Sequence, residues 1–325
     1  MPISFDDTLV VAISSTALFD LSEADKMYRE ARKNLGDEEA ISKYRKFMFK
    51  TEDEPLDDGT GLPVVQALLE LNKHEDNPSS PLVQIVVMSR NSPETGIRIL
   101  NNIQRKGLQI PRTVFTGGET VTDYLSAYNV DLFLTTNKND AQRVADSRVC
   151  AVALLKDPPK DCAEPVLDKV RIAFDGDAVL FSEESELVYK AEGLGPFLEH
   201  EREHADDPMD EGPYTSFLKK LSRLQERLPF KMELSPIRIA IVTARNSPAD
   251  IRVIKTLRAW GVYADAAFFM GGLEKTDVLK AFKPHIFFDD QDVHLKKAAN
   301  VVPSGRVPYE SDSALNKFEK KKTEN

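Results

Sequence analysis

Cysteine is nearly absent: Cys150 and Cys162 are the only two in 325 residues. Two cannot build a disulfide framework, and their spacing matches no common metal motif. Long apolar runs are missing as well, so no segment is expected to span a bilayer. The opening MPISFDDTLV has no basic stretch followed by an apolar one, so no export leader is expected. An excess of basic charge is the third absence. The formal net charge of −10 and pI ≈ 5.2 argue against a broad surface for nucleic acid or anionic membrane. A cytoplasmic protein is expected, with no nucleic-acid or membrane partner and with oligomerisation left open.

What is present is the profile of a folded chain, 41% hydrophobic and 30% charged, long enough for two domains with a core each. Leu9–Ile13 reads as a buried strand ending in Ser14, Ser15 and Thr16. Residues 21–50 have a helical pattern, and the acidic turn PLDDG at Pro55–Gly59 leads into a second amphipathic helix. Strands at Val83–Met88, Val114-Phe115, Asp131–Leu134 and Val149–Leu155 follow, with helical segments between them. DPPKDCAEP, from Asp157, reads as a linker, because its prolines and charges suit neither helix nor sheet.

From Val170 the same order returns. IAIVTARNSP (Ile239–Pro248) matches IVVMSRNSP (Ile85–Pro93), and the helices that follow both open Ile-Arg. Gly271-Gly272 trails Gly261 as Gly117-Gly118 trails Gly107, and PMDEG at Pro208–Gly212 repeats the acidic turn. The fold class expected is α/β: two tandem Rossmann-like lobes with mostly parallel sheets. Each lobe carries an insertion of about sixty residues after its first strand, too long for a loop and helical in pattern, hence a cap. The divisions are a first lobe at 1–156, a linker at 157–168, a second lobe at 169–310 with its cap near 183–236, and a flexible tail at 311–325.

The repeat allows an internal comparison. Asp175 and Asp177, around Gly176 at the end of the strand RIAF, stand where the first lobe has Ser14 and Thr16. Thr243 stands against Met88, Lys275 against Val121, and Asp289-Asp290 against Thr135-Thr136. Apolar and glycine positions persist while ionisable groups at strand ends do not, so the second lobe is the catalytic one. Four nearby carboxylates cannot all stay charged without a cation, and an all-oxygen donor set favours a hard ion, Mg²⁺ above others. With Lys275 beside it, such a site accepts a phosphate dianion. Asp175 is placed to attack phosphorus and Asp177 to act as acid and base. Gly176 would let backbone N–H groups approach the phosphate, and Thr243 would donate a further hydrogen bond.

DGDAV, Thr243, Lys275 and the Asp289-Asp290 pair resemble, in order, the four motifs of the haloacid dehalogenase (HAD) phosphohydrolases. More narrowly, RIAFDGDAVLFSEESE, VTARNSPA, FFDDQ and the serine-rich AISSTALFD resemble the cytosolic 5′-nucleotidase I family over most of the chain. The resemblance implies HAD-type lobes and Mg²⁺-dependent hydrolysis of nucleoside 5′-monophosphates. It further implies Asp175 as nucleophile, Asp177 as acid/base, Asp289 and Asp290 as metal ligands beside Asp175 and Asp177, and Thr243 and Lys275 in support. The alternatives are a phosphatase for sugar phosphates or other small phosphomonoesters, and a nucleotide-sensing or scaffold protein. The first lobe is either a buttress or, at its Gly117-Gly118 loop, a site for an effector nucleotide.

Other features have plainer readings. His200-Glu201-Arg202-Glu203-His204 fits the H-E-x-x-H zinc-protease pattern, but it lies between Gly195-Pro196 and Asp207-Pro208 with no evident third ligand. It reads instead as a charged cap helix facing solvent. Arg245 and Asn246, after Ala244, have two readings: helix-capping structure shared with Arg90-Asn91, or lining of the substrate site. Phe197, Tyr214 and Phe217 have the aromatic faces to stack on a base, but aromatics on helices are more often core. Asp292 and His294 read as helix-start and surface residues. Lys320–Lys322 reads as part of a frayed end.

Overall fold

A computed structural model describes residues 5, 7–77, 80–160, 169–231 and 234–318. Cys162, most of the expected linker and the Lys320–Lys322 run lie outside the described residues. In the first half, β1 (Leu9–Ile13) is followed by α1 (Ser15–Leu18), α2 (Ser22–Leu35), α3 (Asp37–Lys50) and α4 (Leu62–Glu70). Then come β2 (Val83–Ser89), α5 (Pro93–Arg105), β3 (Arg112–Phe115), α6 (Thr122–Leu125), β4 (Leu132–Thr135), α7 (Lys138–Ser147) and β5 (Ala151–Leu155). In the second, β6 (Val170–Phe174) precedes α8 (Glu184–Glu192), α9 (Leu194–Glu203) and α10 (Thr215–Arg227). After these come β7 (Ile237–Thr243), α11 (Ala249–Ala259), β8 (Ala266–Phe269), α12 (Thr276–Phe282), β9 (Ile286–Asp289), α13 (Asp292–Ala298) and β10 (Ser304–Arg306).

Two separate sheets were expected; there is one. Its ten strands run β3-β2-β1-β4-β5-β10-β9-β6-β7-β8, so the order read inward from one edge, 3-2-1-4-5, is repeated from the other as 8-7-6-9-10. Strands are parallel within each half, and β10 pairs antiparallel with β5 through Gly305↔Leu155 and Arg306↔Leu154. The halves therefore run in opposite directions, and the carboxyl ends of their strands lie at opposite edges of the sheet.

The cores are not separate either. Side chains alternate across a strand, and one set (Leu9, Val11, Ile13 on β1; Ile172, Phe174 on β6; Ile239, Ile241 on β7) enters a single core that spans both halves. The alternate set divides into two cores, one around Val10, Ala12 and Phe133, the other around Ala173, Val242 and Phe287. The last helix of each insertion seals the shared face: α4 with Val64, Val65 and Leu68, and α10 with Phe217, Leu218 and Leu221. α4 packs on β6 and α10 on β1, so each half covers part of the other's sheet.

Local chemistry explains the insertions. The helix expected over 21–50 breaks at Gly36, whose φ of 88° suits a residue without a side chain. The recurring acidic turns end in glycine for steric reasons. A Cβ on Gly59 would lie 2.4 Å from the Ala17 carbonyl oxygen, and one on Gly212 would lie 2.4 Å from that of Phe181. The expected flexible tail is ordered as far as it is described: residues 314–318 are helical and Leu315 is fully buried. No helix among the described residues is long and apolar enough to cross a membrane.

Candidate active site

Strand register assembles the site. Phe174 pairs with Ile241 on one side and Phe288 on the other, so the next residues at the same edge are Asp175 and Asp289, with Thr243 two beyond Ile241. The Asp175 backbone N–H donates to the Phe288 carbonyl at 2.8 Å, tying the two strand ends together. Lys275, just before α12, comes up beneath them. Its Nζ donates to Asp289 Oδ2 at 2.7 Å and lies 2.8 Å from Asp175 Oδ2. Burial works against the Lys275 charge, but the two carboxylates raise its hold on its proton.

Asp175, Asp289 and Asp290 are all buried, at 4%, 0% and 1% exposure, and the Lys275 ammonium pairs with the first two. Fully ionised, the site would have more negative charge than its own residues balance. Burial pushes the Asp175 carboxyl up to about 7, with Lys275 pulling the other way. Asp289 is held down at about 2: burial opposes this, and Lys275 and His294 overcome it. Asp290 is raised well above the ordinary carboxylate range by burial and by its neighbours Asp289 and Asp175. Its Oδ2 accepts from the Tyr309 hydroxyl, while its buried Oδ1 has no hydrogen-bond partner. An orphaned carboxylate oxygen amid uncompensated negative charge is what a hard divalent cation satisfies. Asp175, Asp289 and His294 each offer a ligand atom within 4.8 Å of the others.

Asp177 lies outside that group. Arg245 Nε and Nη2 donate to its Oδ2 and Oδ1 at 2.8 and 2.5 Å, a bidentate fork. Gly176 packs against Thr243, where a Cβ would meet Oγ1 at 3.1 Å, and its N–H donates to Asp175 Oδ1 at 2.7 Å. Thr243 Oγ1 accepts from the Arg245 N–H at 3.3 Å. Ala244 and Asn246 are exposed beside this loop. The two readings of Arg245 now separate. In the first half Ser92 caps α5 and Arg90 pairs with Asp140, whereas α11 has no side-chain cap and Arg245 turns inward to Asp177.

Several residues near the site had no part in the sequence reading. Tyr309 holds Asp290, and Glu186 on α8 accepts from Gln291 Nε2 at 3.0 Å, its carboxyl raised by burial and by the Asp177 charge. His294, read as a surface residue, is only partly exposed: its Nδ1 is buried 3.4 Å from Asp289 Oδ2. Asp292 does start α13, paired with Lys156 and Arg306. Glu201 does not face solvent. It is fully buried and paired with Arg245 and Arg252. One signal was available: Phe197 and Glu201, four apart, share a helix face. Phe197, Tyr214 and Phe217 are all buried, the last two in the shared core.

The site lies at the carboxyl edge of a parallel half-sheet, where α/β folds bind their ligands, and a family model described as 5′-nucleotidase matches residues 1–314. The chain belongs to the 5′-nucleotidase family. Members by that name are phosphoric monoester hydrolases. Human cytosolic 5′-nucleotidase 1B is 35% identical over 298 residues, 90% of this chain and 47% of the relative. The chain therefore spans about half the length of that relative. No solved structure matches it.

Proposed function

We propose that this family member is an Mg²⁺-dependent hydrolase of nucleoside 5′-monophosphates, of the HAD type, acting in the cytoplasm as the human relative's name has it. One observation carries the reading: Asp175 and Asp289 bridged by Lys275 at a strand edge, with the unpartnered Asp290 oxygen beside them and Asp177 two residues on. Asp175, Asp289 and Asp290 would hold the ion, which supplies positive charge to offset that of the transferring phosphoryl group. Asp175 attacks phosphorus and the bond from phosphorus to the ester oxygen breaks. Asp177, which enters this step protonated, gives that oxygen its proton, and the nucleoside leaves. Asp177 then takes a proton from water, whose oxygen attacks the aspartyl phosphate and releases inorganic phosphate. Each Asp177 oxygen accepts one bond from Arg245, and each keeps a second lone pair for this exchange.

Phosphate release should stop with a chelator and return with Mg²⁺. Asp175→Asn should lower kcat by at least about a thousandfold, because it removes the nucleophile; a variant with wild-type kcat would exclude Asp175 from that role. A panel of nucleoside monophosphates against sugar phosphates tests the substrate class, and faster hydrolysis of the sugars would replace it. For the first half, the Gly117-Gly118 loop is the corresponding candidate for an effector nucleotide. Substitutions there that remove nucleotide activation and leave basal kcat intact would support it.

A further inference from the structure

Glu201 stands at the centre of a chain of buried charges. Its Oε2 pairs with Arg245 Nη1, and its Oε1 accepts from Arg252 Nη1 at 2.9 Å and from Ser185 Oγ at 2.7 Å. Arg245, Glu201 and Arg252 are 3%, 0% and 4% exposed. A carboxylate out of water persists only where such partners compensate it. Arg245 spends its other two nitrogens on Asp177. Its guanidinium also lies 5.4 Å over the Phe197 ring and 5.9 Å over that of Phe181, which leaves the planar fork one orientation.

The other half of the molecule acts as an internal control. The positions equivalent to His200 and His204 are Phe47 and Thr51, so Glu201 corresponds to Met48, and Arg252 to Arg98. Met48 is buried, and Arg98 Nη1 reaches its sulfur at 4.0 Å, so the geometry persists without the charge. There Asp177 is replaced by Thr16, and Arg90 turns away to Asp140. Both acidic members of the chain, Glu201 and Asp177, are absent together from the half that lacks the carboxylate site. Packing alone does not require the glutamate.

We propose that Glu201 is a positioning residue of the hydrolytic site: from the cap helix α9 it holds Arg245 in the fork that orients Asp177. The proposal rests on the role given to Asp177 above. It links the insertion to the chemistry, since α9 reaches Arg245, and through it Asp177, by this carboxylate and by the Phe197 ring.

A double-mutant cycle tests it, with phosphate release measured from the nucleoside monophosphate that the wild type hydrolyses. Glu201→Gln should lower kcat about tenfold, the scale of a misaligned reacting group, with KM changed less than about twofold. In an Arg245→Lys background, where no fork exists, the same change should cost less than about twofold. An additive tenfold loss there, or a loss expressed in KM alone, would overturn the proposal. Should Glu201→Gln not fold, Glu201→Asp keeps the charge between the arginines but shortens its reach. It should lose kcat at least about threefold by the same misalignment; wild-type kcat would overturn the proposal. Asp177→Asn with wild-type kcat would instead remove the acid–base reading itself, a separate failure.

Discussion

An ammonium held 2.8 Å from Asp175 and 2.7 Å from Asp289, and 5% exposed, leaves two buried carboxylates without their shared cation when it is removed. Lys275→Met is therefore expected to destabilise the chelated protein by about 3–5 kcal/mol, read by urea unfolding, and Mg²⁺ should recover part of the loss. The proton balance of the site gives a second test. The Asp175 carboxyl, raised to about 7, and Asp290, raised as well, hold protons in the fold that the unfolded chain releases near the ordinary value of 3.8. Raised folded values stabilise fully below that value, and the contribution is lost as pH rises through about 7. Without metal, thermal stability should fall across that window; with Mg²⁺ it should not, so the gap between the two melting curves widens with pH. A constant gap would contradict the charge balance described here.

At the level of elements, the two glycine-ended turns separate stability from activity. Gly59→Ala and Gly212→Ala both force a methyl group onto backbone, at Ala17–Leu18 and at Leu180–Phe181. Each should cost about 1–3 kcal/mol as an overpacking change. Only Gly212→Ala should also lower kcat, because Leu180 and Phe181 close the loop in which three N–H groups converge on the Gly176 carbonyl. Equal kcat losses in the two variants would contradict this assignment. Strands with an apolar centre, such as Ile85–Met88 within β2 and Ile239–Val242 within β7, were legible in the sequence, as were Asp175 and Asp289 at the ends of β6 and β9 and Lys275 before α12. Gly36 was visible as a residue, but the helix break it makes was not read from the pattern.

The whole molecule behaves as one body because its main core crosses the boundary between the halves. The last strand, β10, returns to pair with β5, and Lys220 on α10 pairs with Asp131, which precedes β4. Unfolding should be a single transition, with far-UV circular dichroism and the fluorescence of Trp260 changing together; two resolved steps would contradict the shared core. Residues 1–156 expressed alone should not fold, since their share of that core would face water. A native-like spectrum for that fragment would restore the picture of independent lobes.

By itself, the sequence determined what depends on near neighbours and on counting. Short apolar runs gave the strands, and comparison of the two halves showed where charge is kept and where it is lost. Only the tertiary structure decided how the halves meet, because β10 is Ser304-Gly305-Arg306, three residues with no hydrophobic period to read. The same holds for Glu201. Its burial depends on two arginines, 44 and 51 residues further along the chain, which come within reach only when α9 packs against α11 and the loop after β7. Charged residues on a helix favour water unless partners replace it, and in the sequence those partners lie far away.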